Sequence, residues 1–111
     1  DVLVLPQIVH IANDIRAPFK FVEYAAMGKP ILATNVGDPA YFIKKYKCGI
    51  VVKDHSEEEL LKGIYKFRDI DRFKLREMGI KARELARREF DWEVIAKRLN
   101  EMLKELIVGR A

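Results

Sequence analysis

The chain is 111 residues long, 50% apolar and 34% charged, which is the size and balance of one packed domain. Six Gly, four Pro and one Cys exclude collagen-like, low-complexity and disulfide-scaffold classes. The net charge of +4 comes from Lys and Arg interleaved with Glu, as in Arg76, Glu77, Lys81, Arg83 and Glu84. That is the pattern of solvated helix faces, not the one-sided basic surface with aromatics that nucleic acid requires, so no nucleic-acid partner is expected.

Against its charged residues the chain carries one Ser, one Thr and one Gln, a balance in which thermophile proteins build ion-pair networks. The lone Cys48 has no partner for an intramolecular disulfide, and no apolar run approaches the ~20 residues of a membrane span. The first residues, Asp1-Val2-Leu3-Val4-Leu5, lack the basic start of a signal peptide. A cytoplasmic location is expected.

In chain order, the first apolar run is Val2–Leu5, followed by the long connection Pro6–Ala17. Pro18 then opens a helix-like segment that stops at Gly28, with Pro30 just beyond. A second run, Pro30–Thr34, leads through Gly37-Asp38-Pro39 into a short helix over about Ala40–Tyr46, and a third run is Gly49–Val52. All three runs are apolar on both faces, as strands of a helix-covered parallel sheet are. The order β-α-β-α-β predicts right-handed crossovers.

The second half reads as helical. Ser56-Glu57-Glu58-Glu59 is a capping box, and Leu60, Leu61, Ile64 and Phe67 are expected to face inward behind it. Phe73, Met78, Ala82, Leu85 and Ala86 mark a second helix that ends near Phe90. Asp91 caps a third, with Trp92, Ile95, Leu99, Met102, Leu103 and Leu106 on one stripe read as core or docking surface. The expected fold class is α/β: a Rossmann-like parallel sheet of about three strands, flanking helices and a helical C-terminus. Because the first strand starts the chain and three strands make a small sheet, the chain reads as the C-terminal part of a larger domain. Its uncovered first strand invites self-association.

In such sheets ligands bind beyond the carboxyl ends of the strands, where helices present free amides and the positive end of their dipole. The long first connection delivers the chain to such a helix start. Arg16 and Lys20 flank it and no acid stands in its first turn. Either these two bases are simply solvated or an anion such as phosphate sits between them. Glu23 lies among apolar and aromatic neighbours; from spacing alone it is either a solvent-facing Glu or a carboxylate that accepts from ribose hydroxyls. His10 and His55 stand far apart without Cys or a second His nearby, so no metal site is expected. Cys48 reads as buried rather than reactive.

The stretch Ala17–Thr34, APFKFVEYAAMGKPILAT, resembles the retaining GT-B glycosyltransferases of group 1, or family 4, in their variant reading SPLKLFEYMAAGKPIVAT. Four further matches stand in register: Asp1–Pro6 with the family's "D-hydrophobic-P" strand, Cys48–Val52 with its "CGIVV" strand, Asp54–Leu60 with its "D-x-EEL" helix, and Phe90-Asp91-Trp92 with its "F-[SD]-W" entry.

The resemblance implies the C-terminal, donor-binding portion of a GT-B domain (residues 1–111, a partial domain) in an enzyme that transfers sugar from a nucleotide sugar with retention. Glu23 would hold the ribose hydroxyls, and Pro18, Phe19 and Lys20 would receive the diphosphate, mostly through backbone amides. Arg16 would stand beside it. No metal or other cofactor is implied. The acceptor would be a sugar or a lipid-linked glycan, which leaves room for association with a membrane surface. The family's first glutamate falls on Ile15, while the neighbouring Asp14 matches an acid of the variant pattern and is assigned to the donor sugar. The Gly-Gly and Glu after the "AT" strand are altered to Gly37-Asp38 and Tyr41. The domain's first strands and the acceptor domain are absent, so the chain alone is expected to be inactive. The alternative is a non-catalytic nucleotide-binding or interaction module.

Overall fold

The computed structural model describes residues 1–15 and 18–109. Three parallel strands, β1 (Leu3–Leu5), β2 (Ile31–Thr34) and β3 (Gly49–Val52), pair in the order β1-β2-β3, with Val4 beside Leu32 and Leu32 beside Ile50. Helices α1 (Ile11–Asp14) and α2 (Phe19–Ala26) join β1 to β2, and α3 (Gly37–Tyr46) joins β2 to β3. Then come α4 (Glu57–Arg68), α5 (Arg72–Leu85), a π-helical turn (Ala86–Phe90) and α6 (Trp92–Gly109). The expected α/β architecture is present: a three-stranded parallel sheet, flanking helices and a helical C-terminus.

All four residues of central β2 are buried, and their alternation divides the interior in two. Ile31 and Ala33 join Leu5, Phe21, Ile43 and Leu85 under α2, α3 and the end of α5. There Phe90 meets Phe21 and Phe42 edge to face, with centroids 6.0 and 5.4 Å apart. Leu32 faces the other way, onto Val52, Phe67 and Met78 beneath α4. Fully burying an Ile or Leu stabilises by roughly 1.5–3 kcal/mol, so β2 alone anchors both layers.

Helix α5 serves both cores, Met78 on one side and Ala82 and Leu85 on the other. It therefore passes beneath the amino ends of the strands. At the crossing, a Cβ on Gly79 would collide with the carbonyl oxygen of Gly28.

Several side chains face otherwise than the periodicity implies. On α4 the inward residues are Leu60, Gly63 and Phe67, whereas Leu61 and Ile64 are exposed. Gly63 sets this rotation, since a Cβ there would stand 2.6 Å from Leu32 Cδ1 and 2.8 Å from Val52 Cγ1. Phe73 is exposed as well, while Leu75 in the same turn of α5 packs against the core beneath α4. Helix α3 begins at Gly37 rather than near Ala40: Pro39 occupies its first turn, where a missing N–H costs nothing. No residue of α6 is buried; it leaves the π-helical turn and gives the molecule its 57 Å length. Its apolar stripe is surface, not core.

Candidate functional site

The carboxyl ends of the strands converge on one edge of the molecule, and three hydrogen bonds knit their connections together. Thr34 Oγ1, at the end of β2, donates to the carbonyl of Gln7 at 2.6 Å. His55 Nδ1, after β3, accepts from the amide of Val9 at 3.1 Å. Asp14 Oδ1 accepts from the amide of Gly37, the first residue of α3, at 2.9 Å. Within the first connection, Asn13 Nδ2 donates to the Ile8 carbonyl at 2.7 Å and His10 Nδ1 caps α1 by accepting from Ala12. The connection read as a long loop is thus a shaped segment with one helical turn. Nothing in the sequence marks Thr34 or His55 as its supports, because each acts through a partner that only the fold brings near.

Gly37 is fitted to this junction. Its φ of +68° suits glycine, and a Cβ there would lie 2.6 Å from the carbonyl oxygen of Asn13. The Asp14 carboxylate sits against the amino end of α3, where the helix dipole favours a negative charge. Asp14, Asn35, Gly37, Tyr41 and Lys44 line a shallow depression, in which Lys44 Nζ donates to Asn35 Oδ1 at 2.8 Å. Asp14 is therefore occupied as a tie between two segments in this structure.

Helix α2 is capped by Pro18, which stands just outside the helix with φ −69° and ψ 133° and offers no side-chain cap. The first turn holds no acid. The amide of Phe21 donates to the Pro18 carbonyl at 3.2 Å. The amides of Phe19 and Lys20 take no acceptor among the described residues. Phe19 is 81% exposed, and Lys20 and Glu23 are exposed too. Glu23 lies one turn after Phe19, about 6 Å along the axis, and three residues after Lys20 on the same face. Glu23 is exposed on α2, on the same side as the helix start. Arg16, expected beside this helix start, lies outside the described residues.

Other ionisable groups serve structure. Glu89 accepts from Tyr46 Oη at 3.0 Å and pairs with Arg98 at 3.4 Å, tying α3 to α6 through the π-helical turn. Burial first, and then this bond to Glu89, raises the Tyr46 phenol above its usual range. Burial pushes the Cys48 thiol up to about 11, so it is not a nucleophile at neutral pH. The capping box is redirected: Ser56 Oγ accepts from Glu59, but Glu59 Oε1 reaches back to the amide of Lys53 at 3.0 Å. Asp54 takes the Ser56 amide at 2.8 Å instead. Among the described residues no cluster of three His, Cys, Asp or Glu is placed to hold a metal ion. No helix there is long and apolar enough to cross a membrane.

Comparison with known proteins places this geometry in context. The family model described as Glycosyl transferases group 1 matches residues 1–86. Sucrose-phosphate synthase from Thermosynechococcus elongatus has a similar structure, with a TM-score of 0.77 and 23% identity over 97% of this chain. At that identity the likeness is one of fold, and this chain spans 26% of the length of that one. No sequence among the curated proteins matches.

Proposed function

This chain belongs to the group 1 glycosyl transferases, and on that premise we propose that it is the donor-binding part of an enzyme that transfers a hexose from a nucleotide sugar with retention. The observation that carries this reading is the start of α2: an uncapped amino end without acids, Lys20 in its first turn, and Glu23 one turn further along. The amides of Phe19 and Lys20 receive the diphosphate of the donor, and the Lys20 ammonium neutralises it. In transfer, the bond between the sugar and the diphosphate breaks as a glycosidic bond to the acceptor forms. Charge grows on the departing diphosphate, where a helix dipole and fixed N–H donors stabilise it. Glu23, exposed on the same helix, accepts from the two ribose hydroxyls.

Residues 1–111 form a partial domain in this reading, and the chain alone does not turn over. The acceptor is a sugar or a lipid-linked glycan held by a further domain. A second reading, a nucleotide-binding module without turnover, is favoured by Ile15 at the position of the family's first glutamate and by the engagement of Asp14 with Gly37.

The test is thermal unfolding with UDP, GDP and ADP and their sugars. A donor at a hundred times its dissociation constant stabilises by about 2.7 kcal/mol. Because Glu23 is exposed, Glu23→Ala leaves the unliganded stability within about 0.5 kcal/mol, and it is expected to abolish most of the ligand-induced shift. A shift retained in full by the variant removes Glu23 from the site. Binding with Glu23-dependent stabilisation, but no turnover in any longer protein containing this chain, decides for the second reading.

A further inference from the structure

On the reading of this chain as the donor-binding part of a glycosyl transferase, we propose that the depression beside α3 is a subsite for a pyranose unit of the acceptor glycan. The rest of the acceptor stays on the further domain. The depression is shallow, with a volume of about 530 Å³. That lies within the roughly 300–1,000 Å³ of small-molecule sites. Two of its lining residues, Val36 and Ala40, are apolar and buried. Tyr41 also lines it and stays 58% exposed. Its ring is nevertheless held, edge to face with Phe42 at 5.2 Å between centroids and with the Lys45 ammonium 5.8 Å from its centroid.

A held aromatic ring beside mixed donors and acceptors suits a pyranose, which has an apolar C–H face and a rim of hydroxyls that both donate and accept. Asp14 uses Oδ1 on the Gly37 amide and keeps Oδ2 as an acceptor. Asn35 Oδ1 accepts from the Lys44 ammonium at 2.8 Å, which leaves Asn35 Nδ2 and two Lys44 protons as donors. Among the described residues these groups have no other protein partner, so no internal bond must break for hydroxyls to reach them.

Position separates this sugar from that of the donor. Asn35 follows the last residue of β2, at the strand edge where ligands of parallel sheets bind. Tyr41 and Lys45 stand about 6 and 12 Å further along the axis of α3 from Gly37. The diphosphate is assigned to a different helix, α2, and the donor sugar is bonded directly to it. That sugar reaches at most the Asp14 end of the depression, which leaves Tyr41 to a second one. Phosphate is turned away here, because the Asp14 carboxylate already closes the positive end of α3.

NMR of the full, isotope-labelled chain tests this by titration with the methyl glycosides of glucose, galactose, mannose and N-acetylglucosamine. At least one is expected to saturate with a dissociation constant on the order of millimolar, shifting the amides of Asn35, Ala40, Tyr41 and Lys44 but not those of Phe19 and Lys20. Tyr41→Ala is expected to weaken that binding about tenfold and Asn35→Ala about fivefold, while Tyr41→Phe keeps the ring and retains it. Melting curves show which variants are folded. Should Tyr41→Ala fail through its lost contact with Phe42, Asn35→Ala and Tyr41→Phe carry the comparison. UDP, GDP and ADP test the underlying reading separately, since one of them is expected to shift Phe19 and Lys20 equally in wild type and Tyr41→Ala. No response along α3 to any glycoside at about 50 mM overturns the subsite, whatever the nucleotides do. A glycoside response there without a nucleotide response at α2 supports the subsite and tells against the donor reading. Glycoside shifts indifferent to both Tyr41→Ala and Asn35→Ala overturn it. Shifts at Tyr41 that need the whole nucleotide sugar, with free glycosides inert, give the depression to the donor and overturn the acceptor assignment.

Discussion

The carboxylate of Asp14 accepts a hydrogen bond from the amide of Gly37 at 2.9 Å, joining the end of α1 to the start of α3 across 23 positions of sequence. Both ends of this bond are specialised. Gly37 is the residue without a Cβ that its junction with Asn13 demands, and Asp14 brings a negative charge to a helix amino end. The bond therefore holds the end of α1 against the start of α3.

Replacing Asp14 with Ala is expected to destabilise the fold by roughly 1 kcal/mol and to speed hydrogen exchange at the Gly37 amide. Asp14→Asn keeps an acceptor oxygen and retains most of that protection. Exchange at Gly37 followed by NMR reads both variants; unchanged protection in Asp14→Ala would show that the bond carries no weight in solution.

Gly79 allows α5 to cross beneath Gly28, and Gly79→Ala drives a methyl group into a backbone carbonyl. Backbone has little freedom to retreat, so a loss of about 2 kcal/mol or more is expected, despite the better helix propensity of Ala. Urea denaturation measures it, and Lys81→Ala on the exposed side of the same helix is the control, expected within about 0.5 kcal/mol of wild type.

The Cys48 thiol is fully buried and its pKa is pushed up to about 11 by that burial. Thiolate is the reactive form, so modification by an aromatic disulfide reagent at neutral pH is expected to proceed at the rate of global opening and to accelerate sharply in denaturant. Native-state labelling as fast as that of free cysteine contradicts the burial.

Acid is expected to loosen the junction of β3 with α4. Hydrogen bonds from Ser56 hold the Asp54 carboxyl below its usual range, and those from the Lys53 amide and Lys62 do the same for Glu59. Groups whose pKa is lowered by folding contribute stability above their unfolded values, near pH 4, and lose it as pH falls through the folded values. Lys62, raised by Glu59, runs the opposite way and loses its contribution only in strong base. Amide shifts of Lys53 and Ser56 titrated from neutral to acid follow the event, and Asp54→Asn with Glu59→Gln is expected to flatten the curve.

The three strands and the longer helices were legible in the sequence because each run of apolar residues is uninterrupted and each boundary carries Gly, Pro, Ser or Asp, whereas the short α1 was read as loop. Pro18, Phe19, Lys20 and Glu23 were legible as a group for the same reason: they follow one another along a single helix, whose geometry is local. Three partnerships were not. Val9 with His55, Gln7 with Thr34 and Asp14 with Gly37 link segments 46, 27 and 23 residues apart.

Helix faces fall between these cases. Periodicity placed Leu61 and Ile64 inside, yet contact between Gly63 and the Leu32 side chain turns α4 so that both face solvent. By itself, then, the sequence determined which segments are strands and which are the longer helices, their parallel order, and the residues that share the start of α2, since these follow from local spacing and chain connectivity. Only the tertiary structure decided which face of each helix is covered, that Asp14 closes on α3, and that α6 buries none of its residues. Those outcomes depend on close approach between distant segments, and steric fit at a few glycines sets that approach.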